Sequence, residues 1–488
     1  MICLSEQQKE DIGLRFVLDQ LNLRTPYGAE LATGLKPYSP EEKNLLLEEL
    51  DNIGRIKDVY KQREEEFTEI FRILSQFKDI RPIFEKRAGI DSALNEIELF
   101  ELKNFLLSLK ELDECFGVLQ NTLHLSCVLP RRMPRALEVL DPGGEGLRTF
   151  FIADSASPKL LEIRTEKRRL EAAISASRDE ESRLLLRDKR RLTVCAEEDE
   201  ELIIRRELSS RVLSYAEEFL ANVSSVGRLD LLLQKAKLAA ENRTAKPVIS
   251  DSTAELIFEG VYNPLIEHFL RKSGREFTPL SVKLRRGAAI LTGANMGGKS
   301  VALKTFTLNI TLFQTGFYVF AEKAVLPLFD HLHLVSEDLE SPGMGLSTFA
   351  AELVKLKQIT DDLKSGLSFI ALDEFARGTN PAEGSSLVRA VARYLNGKNA
   401  VSILSTHYDG ISSPEFNNYQ VVGLENLDMA RLREKLLSAG GDSAALIAEQ
   451  MDYRLMELSG ASLAGETPKD AINICKLLDL SGEILDLL

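Results

Sequence analysis

Apolar residues recur every three to four positions across residues 42–110, a stretch rich in Leu, Ile, Glu and Lys whose one proline is Pro82. That spacing predicts helices that each bury one face. Phe67, Ile70, Phe71, Leu74 and Phe77 make up one such face. Residues 155–238 return to helical spacing with dense charge of both signs. Between the two stretches, Pro130, Pro134 and Asp141-Pro142-Gly143-Gly144 read as a loop or short irregular element. The pattern changes near Ala245-Lys246-Pro247. Residues 288–291, 367–372 and 400–404 are short apolar runs of the buried-strand type, and residues 300–315 and 349–363 are helical in spacing. Alternating strand and helix predict a mostly parallel sheet covered by helices. From about Leu427 the helical pattern resumes. The expected organisation is a helical region over 1–245, an α/β domain over 246–425 and a helical tail over 426–488.

Size and charge narrow this picture only a little. A chain of 488 residues with 44% hydrophobic content is too long for one core. A net charge of -14 excludes a uniformly basic surface but leaves room for a local basic stripe. The cysteines Cys3, Cys115, Cys127, Cys195 and Cys475 are odd in number and none sit at metal-ligand spacing, so free thiols in a reducing cytosol are expected. The segment after Met1 turns charged at Glu6, unlike a signal peptide. No apolar run approaches the ~20 residues needed to span a bilayer. A cytoplasmic protein without membrane contact is the expectation.

The chemistry concentrates in the α/β half. Gly293-Ala294-Asn295-Met296-Gly297-Gly298-Lys299-Ser300 matches G-x-x-x-x-G-K-[ST], after a predicted strand and opening a predicted helix at Val301. Glycines let backbone N–H groups curl round phosphate oxygens without a Cβ in the way. The helix N-terminus adds positive potential. Lys299 would reach the β/γ-phosphates of ATP, and the Ser300 hydroxyl would hold Mg²⁺. An incidental glycine turn is the alternative, and the strand and helix flanks argue against it. Phe369-Ile370-Ala371-Leu372-Asp373-Glu374 is an apolar strand ending in two acids. Asp373 is the expected metal-side acid and Glu374 the expected general base.

Residues 291–408 resemble the MutS family of ATPases, the mismatch-repair proteins and their paralogues. The resemblance rests on the phosphate loop above, on Gly345-Leu346-Ser347-Thr348-Phe349-Ala350-Ala351-Glu352, on Asp373-Glu374-Phe375-Ala376-Arg377-Gly378-Thr379-Asn380, and on Ser405-Thr406-His407-Tyr408. It implies an ABC-type P-loop NTPase domain preceded by an all-α core and lever domain. It implies a homodimer with composite ATP sites. Ser347 would reach the γ-phosphate bound by the partner subunit, and the same residue could simply cap the helix that follows it. His407 would sense the γ-phosphate. Residues 377–380 would cross the dimer interface. Gly293, Asn295, Met296, Gly297, Gly298, Lys299, Ser300 and Val301 would cradle the nucleotide. Phe277 stands where the family stacks an aromatic on adenine, although it could equally be an ordinary core residue.

Upstream, Asp79-Ile80-Arg81, Asp154-Ser155-Ala156-Ser157-Pro158 and Leu229-Asp230 with residues 235–240 resemble landmarks of the family's core and lever, nearest the second bacterial paralogue group. Asn263-Pro264 resembles the element that opens the ATPase domain, with Asn263 in place of the usual His. No counterpart of the family's mismatch-reading and connector domains and no nuclease-like extension is expected, and the clamp would be reduced to residues 175–200. Two uses of the levers stay open. A DNA-associated ATPase would meet duplex phosphates through Arg183, Arg187, Lys189, Arg190 and Arg191. Those same cations could instead pair with Glu180, Glu181, Asp188 and the acids of residues 197–201. A protein-remodelling ATPase would act on a protein client. A regulatory switch with little turnover is a third option, against which the base Glu374 argues. The tail around residues 471–488 would help dimerisation.

Overall fold

The structure is a computed structural model in which residues 4–85, 93–127, 129–250, 255–293, 298–336, 348–423 and 451–459 are described. Its compact units are interleaved in sequence. One holds Leu23–Gly34 and Val59–Gln234; the other holds Met1–Asn22, Leu35–Asp58 and Lys235–Leu488. The helices that precede the first strand are α1 (Glu6–Asp11), α2 (Leu14–Asp19), α3 (Pro26–Thr33), α4 (Lys43–Tyr60), α5 (Glu64–Leu74), α6 (Arg81–Glu85), α7 (Glu96–Leu123), α8 (Pro134–Leu140), α9 (Pro158–Ala176), α10 (Glu180–Leu213) and α11 (Ala216–Glu241).

The helical unit is built on the face expected of α5. Phe67, Ile70, Phe71 and Leu74 are buried, as is Phe77 just beyond the helix. Glu64, Glu65 and Glu66 complement the positive N-terminal end of α5. Phe77 meets Phe105 of α7 edge-on at 5.2 Å, and Phe105 meets Phe219 of α11 at 5.8 Å. Asn95 and Glu98 form a reciprocal cap at the start of α7. The landmarks in this unit carry structural bonds. Asp79 pairs with Arg81 at 2.8 Å. Asp230 of α11 accepts from Arg24 N–H, Thr25 N–H and the Thr25 hydroxyl at 2.8–2.9 Å. Burial pushes the Asp230 carboxyl above the ordinary carboxylate range.

Helices α9 and α10 form a hairpin joined by Ser177, Arg178 and Asp179, with Asp179 capping α10. Arg164 crosses it to Glu197 and Glu201 and also binds Asp154. At the tip Arg190 pairs with Glu171 at 2.7 Å, and Arg183 lies 3.9 Å from Glu180. Arg187, Lys189 and Arg191 are exposed and make no ion pair among the described residues.

The second unit carries β1 (Val248–Ile249), β2 (Leu256–Val261), α12 (Pro264–Lys272), β3 (Leu280–Leu284), β4 (Gly287–Thr292), α13 (Lys299–Gln314), β5 (Lys323–Leu326), β6 (His331–Val335), α14 (Thr348–Asp362), β7 (Ser368–Asp373), α15 (Pro381–Asn396), β8 (Ala400–Ser405), β9 (Asn417–Gly423) and β10 (Asp452–Leu458). Six strands run in the order β10-β9-β4-β8-β7-β6, parallel throughout except for β10. Strands β1-β5-β2-β3 make a separate mixed sheet. Every residue of β4, β7 and β8 is buried, as continuous apolar runs in a parallel sheet require. Helix α13 is buried nearly all round despite its threonines. Thr305, Thr307, Thr311 and Thr315 return their hydroxyls to carbonyls one turn earlier, which removes the cost of burying them.

Two expectations change. Residues 452–458, read as part of a helical tail, are a strand instead, because β10 satisfies its backbone along the free edge of β9. Long-range pairing outweighs the modest helix preference of Leu, Met, Glu and Arg. The remainder of that tail, residues 471–488 included, lies outside the described residues. The first helices, read with the helical region, belong with the α/β unit: Gln8 of α1 donates to the Leu334 carbonyl of β6 at 2.7 Å. Asn263, standing for the family's His, is fully buried. It caps α12 through Leu265 N–H and donates to the Ile12 carbonyl.

His333 of β6 is fully buried, 3.2 Å from an Asp362 oxygen. Burial, aided by Lys355 and His331 and opposed by Asp362, brings its pKa down from 6.5 to about 4. The folded protein then binds fewer protons than the unfolded chain between those values. Stability is full above the unfolded value and is lost as pH falls toward the folded one, by up to about 3 kcal/mol. Urea midpoints at neutral pH and near pH 4 should show that loss, and His333→Leu should shrink it. An unchanged pH slope in the variant would refute the assignment.

Candidate functional site

Strands β4, β7 and β8 point their C-terminal ends the same way, and the notable side chains gather there. Strand β4 leads into the phosphate loop, of which Gly293, Gly298, Lys299 and Ser300 are described; Asn295, Met296 and Gly297 lie outside the described residues, as does Ser347. Gly293 has φ 140° and Gly298 φ 81°. A Cβ on Gly298 would lie 3.1 Å from the Tyr453 ring, so both backbone conformation and space call for glycine. Lys299 opens α13 and is only 3% exposed. Its ammonium donates to the Gly293 carbonyl at 2.9 Å and lies 3.5 Å from Glu374 Oε1. Burial pushes the Lys299 pKa down, while Glu374 and Asp373 push it up. Ser300 follows on the first turn of α13 and is exposed.

The acids arrive on β7. Asp373 lies in register with Ser405 of β8. The Ser405 hydroxyl donates to Asp373 Oδ1 at 2.6 Å and accepts the Glu374 N–H at 3.0 Å. One hydroxyl therefore ties both acids to the neighbouring strand. The second Glu374 oxygen faces Arg377 at 3.4 Å and His407 Nδ1 at 3.7 Å. The His407 ring packs on Tyr408 with centroids 4.4 Å apart. At 3.7 Å no hydrogen bond joins His407 to Glu374, which leaves the imidazole available to another acceptor.

Beside the loop is a cavity of about 460 Å³ lined by Phe277, Gly298, Val301, Met451 and Tyr453, among others. Its size suits a small organic ligand. Phe277, at 9% exposed, is both buried and a wall of this cavity. The structure thus brings Lys299, Asp373, Glu374 and His407 together, with Phe277 and Val301 on the adjoining wall.

Residues 289–438 match the family described as MutS domain V. A DNA mismatch repair protein MutS from Solibacter usitatus is 34% identical over 47% of this chain and 27% of its own length. An Endonuclease MutS2 from Caldicellulosiruptor saccharolyticus is 28% identical over 80% of this chain and 57% of its own length. Over these segments the chain is similar to MutS-family proteins. A second Endonuclease MutS2, from Caldicellulosiruptor bescii, aligns with 95% of the chain at 27% identity, covering 60% of its own length. The chain therefore spans about a quarter to three fifths of the length of these MutS relatives. The domain V match opens within β4 and includes α13, β7 and β8, the elements that assemble the site.

Sequence reasoning missed two parts of this candidate site. Ser405 was noticed as a motif member, but its grip on both acids depends on strand register. Tyr453 gave no signal, because β10 reaches the cavity from about 150 residues away in sequence, a distance that local pattern does not bridge. Ser405→Ala should leave the Glu374 N–H buried without its acceptor. A loss of about 1–3 kcal/mol in unfolding free energy is expected, read from denaturant melts; a variant as stable as the parent would contradict the clamp.

Proposed function

We propose that this chain hydrolyses ATP at the C-terminal edge of the six-stranded sheet. MutS-family proteins are ATPases. The observation that carries the reading to these residues is the 3.5 Å approach of Lys299 to Glu374 beside the Phe277 cavity. The nucleobase would lie in that cavity, with Phe277 and Tyr453 as aromatic walls. Gly293, Gly298 and the start of α13 would receive the phosphates. Lys299 would leave the Gly293 carbonyl for the β/γ-phosphates. Ser300 and Asp373 suit Mg²⁺, being an accessible hydroxyl and a carboxylate held by Ser405. Bound there, the ion would supply positive charge against the phosphates. Glu374 would take a proton from the attacking water as ADP departs, and His407 would donate to a phosphate oxygen.

The whole assembly is proposed as a homodimer in which Ser347 completes the neighbour's site, acting in the cytoplasm. Double-stranded DNA is the favoured partner. The exposed Arg187, Lys189 and Arg191 at the α9–α10 tip support it, and the relatives' names include DNA mismatch repair and endonuclease. A protein client is the second reading. Arg183 and Arg190 are engaged by Glu180 and Glu171, which leaves fewer cations for a duplex, and the net charge is -14.

Phosphate-release assays on the purified chain test the reaction. Glu374→Gln should bind ATP yet turn over about 10²–10⁴-fold more slowly. Lys299→Ala should weaken ATP binding itself by about tenfold or more. Normal turnover in Glu374→Gln would remove the base assignment. Duplex binding that falls steeply with salt, and weakens in an Arg187→Ala, Lys189→Ala, Arg191→Ala triple variant, would favour DNA; salt-independent or absent binding would favour the client.

A further inference from the structure

The turn after Asp373 holds an unusual backbone. Glu374 has φ 47° and Ala376 φ 65°. Two non-glycine residues in left-handed conformations within three positions persist only when their surroundings hold them. Ser405 holds the first by accepting the Glu374 N–H. The second is held on both sides. Glu352, about one turn into α14 from Thr348, accepts the Ala376 N–H on Oε2 at 2.9 Å. Tyr408 donates its hydroxyl to the Ala376 carbonyl at 3.0 Å. Gly384 makes room for that hydroxyl, since a Cβ there would collide with it.

Glu352 is an expensive residue to place at this point. It is 6% exposed, and Phe349 and Leu356 on the same helix pack against the apolar core. Burial pushes its carboxyl above the ordinary range, and the Ala376 N–H pulls it back. An apolar side chain would fill the space at lower desolvation cost. What an apolar side chain cannot do is accept the Ala376 N–H.

We propose that Glu352 is a positioning residue for Glu374: from α14 it grips the Ala376 peptide, fixes the left-handed turn, and so sets the direction of the Glu374 carboxylate beside Lys299. This rests on Glu374 acting as the base. It assigns Glu352 no contact with nucleotide. Helix α14 and the acidic turn then move together, so a displacement of the helix shifts the base.

The test uses the full chain and separates turnover from binding. Glu352→Ala is expected to lower kcat at least about tenfold, as loss of a hydrogen bond to a charged group implies. Its calorimetric Kd for ATP is expected to move less than about threefold, because only positioning is lost. Glu352→Gln keeps an acceptor oxygen and is expected to stay within about threefold of the parent kcat. Should Glu352→Ala fail to fold, Tyr408→Phe removes the other hold on the same peptide, with kcat expected about threefold lower and Kd unchanged. An unchanged kcat in Glu352→Ala or in Tyr408→Phe, or equal losses in Glu352→Ala and Glu352→Gln, overturns the proposal. Glu374→Gln is run alongside. Full turnover there overturns the base assignment and this inference together, whereas an inactive Glu374→Gln beside a fully active Glu352→Ala overturns the positioning role alone.

Discussion

A buried ammonium facing buried carboxylates is the constraint around which the α/β unit is organised. Lys299 is 3% exposed, Asp373 5% and Glu374 8%. Charges withdrawn from water to that degree need partners at close range, or they neutralise. The partners come from four separate places: α13 for the lysine, β7 for the acids, the turn beyond β7 for Arg377, and the end of β8 for Ser405 and His407. None of these reaches the others unless β4, β8 and β7 lie side by side in register. The register places Asp373 opposite Ser405 and Leu291 opposite the same residue from the other side. A slip of one residue would turn every side chain of a strand to the opposite face. Such a slip would part Asp373 from Ser405 and leave both buried without each other.

This explains which parts could be read from the sequence. Where local pattern and final environment agree, the reading holds. Strands β4, β7 and β8 begin or end within one residue of the apolar runs at 288–291, 367–372 and 400–404, and α13 and α14 match the helical spacing at 300–315 and 349–363. The α5 face from Phe67 to Phe77 is buried as its spacing required. Reading failed where a remote segment decided the outcome. Asp452–Leu458 is strand because β9 offers a free edge. Residues 1–22 join the α/β unit through bonds such as Gln8 to Leu334, which nothing in the local sequence announces.

The same distinction applies within the site. Lys299, Asp373 and Glu374 were legible because the phosphate-loop pattern and an apolar strand ending in acids are local signals. Their supports were not. Ser405, Glu352 and Tyr408 act through backbone groups of other elements, and a backbone N–H looks the same at every position of a sequence. The strain signal is equally silent. Glu374 and Ala376 are poor choices for left-handed backbone. Sequence reasoning would put glycine or asparagine at such positions, and the actual residues make sense only once their clamps are visible.

The local balance of charge bears on what this cluster can hold. Asp373 and Glu374 contribute two negative charges, and Lys299 and Arg377 two positive ones, within ion-pair reach or influence of one another. The cluster is close to neutral as it stands. A triphosphate entering beside it would add several negative charges to a region sheltered from water, where each is felt strongly. The start of α13 and its loop N–H groups offset part of that charge. Once Lys299 turns from Glu374 to the phosphates, Glu374 keeps only Arg377 of its two close cations, and the deficit grows. On the proposed reading, a divalent cation at Ser300 and Asp373 would offset that deficit. Nucleotide and Mg²⁺ are then expected to bind as one cooperative unit, each raising the affinity for the other.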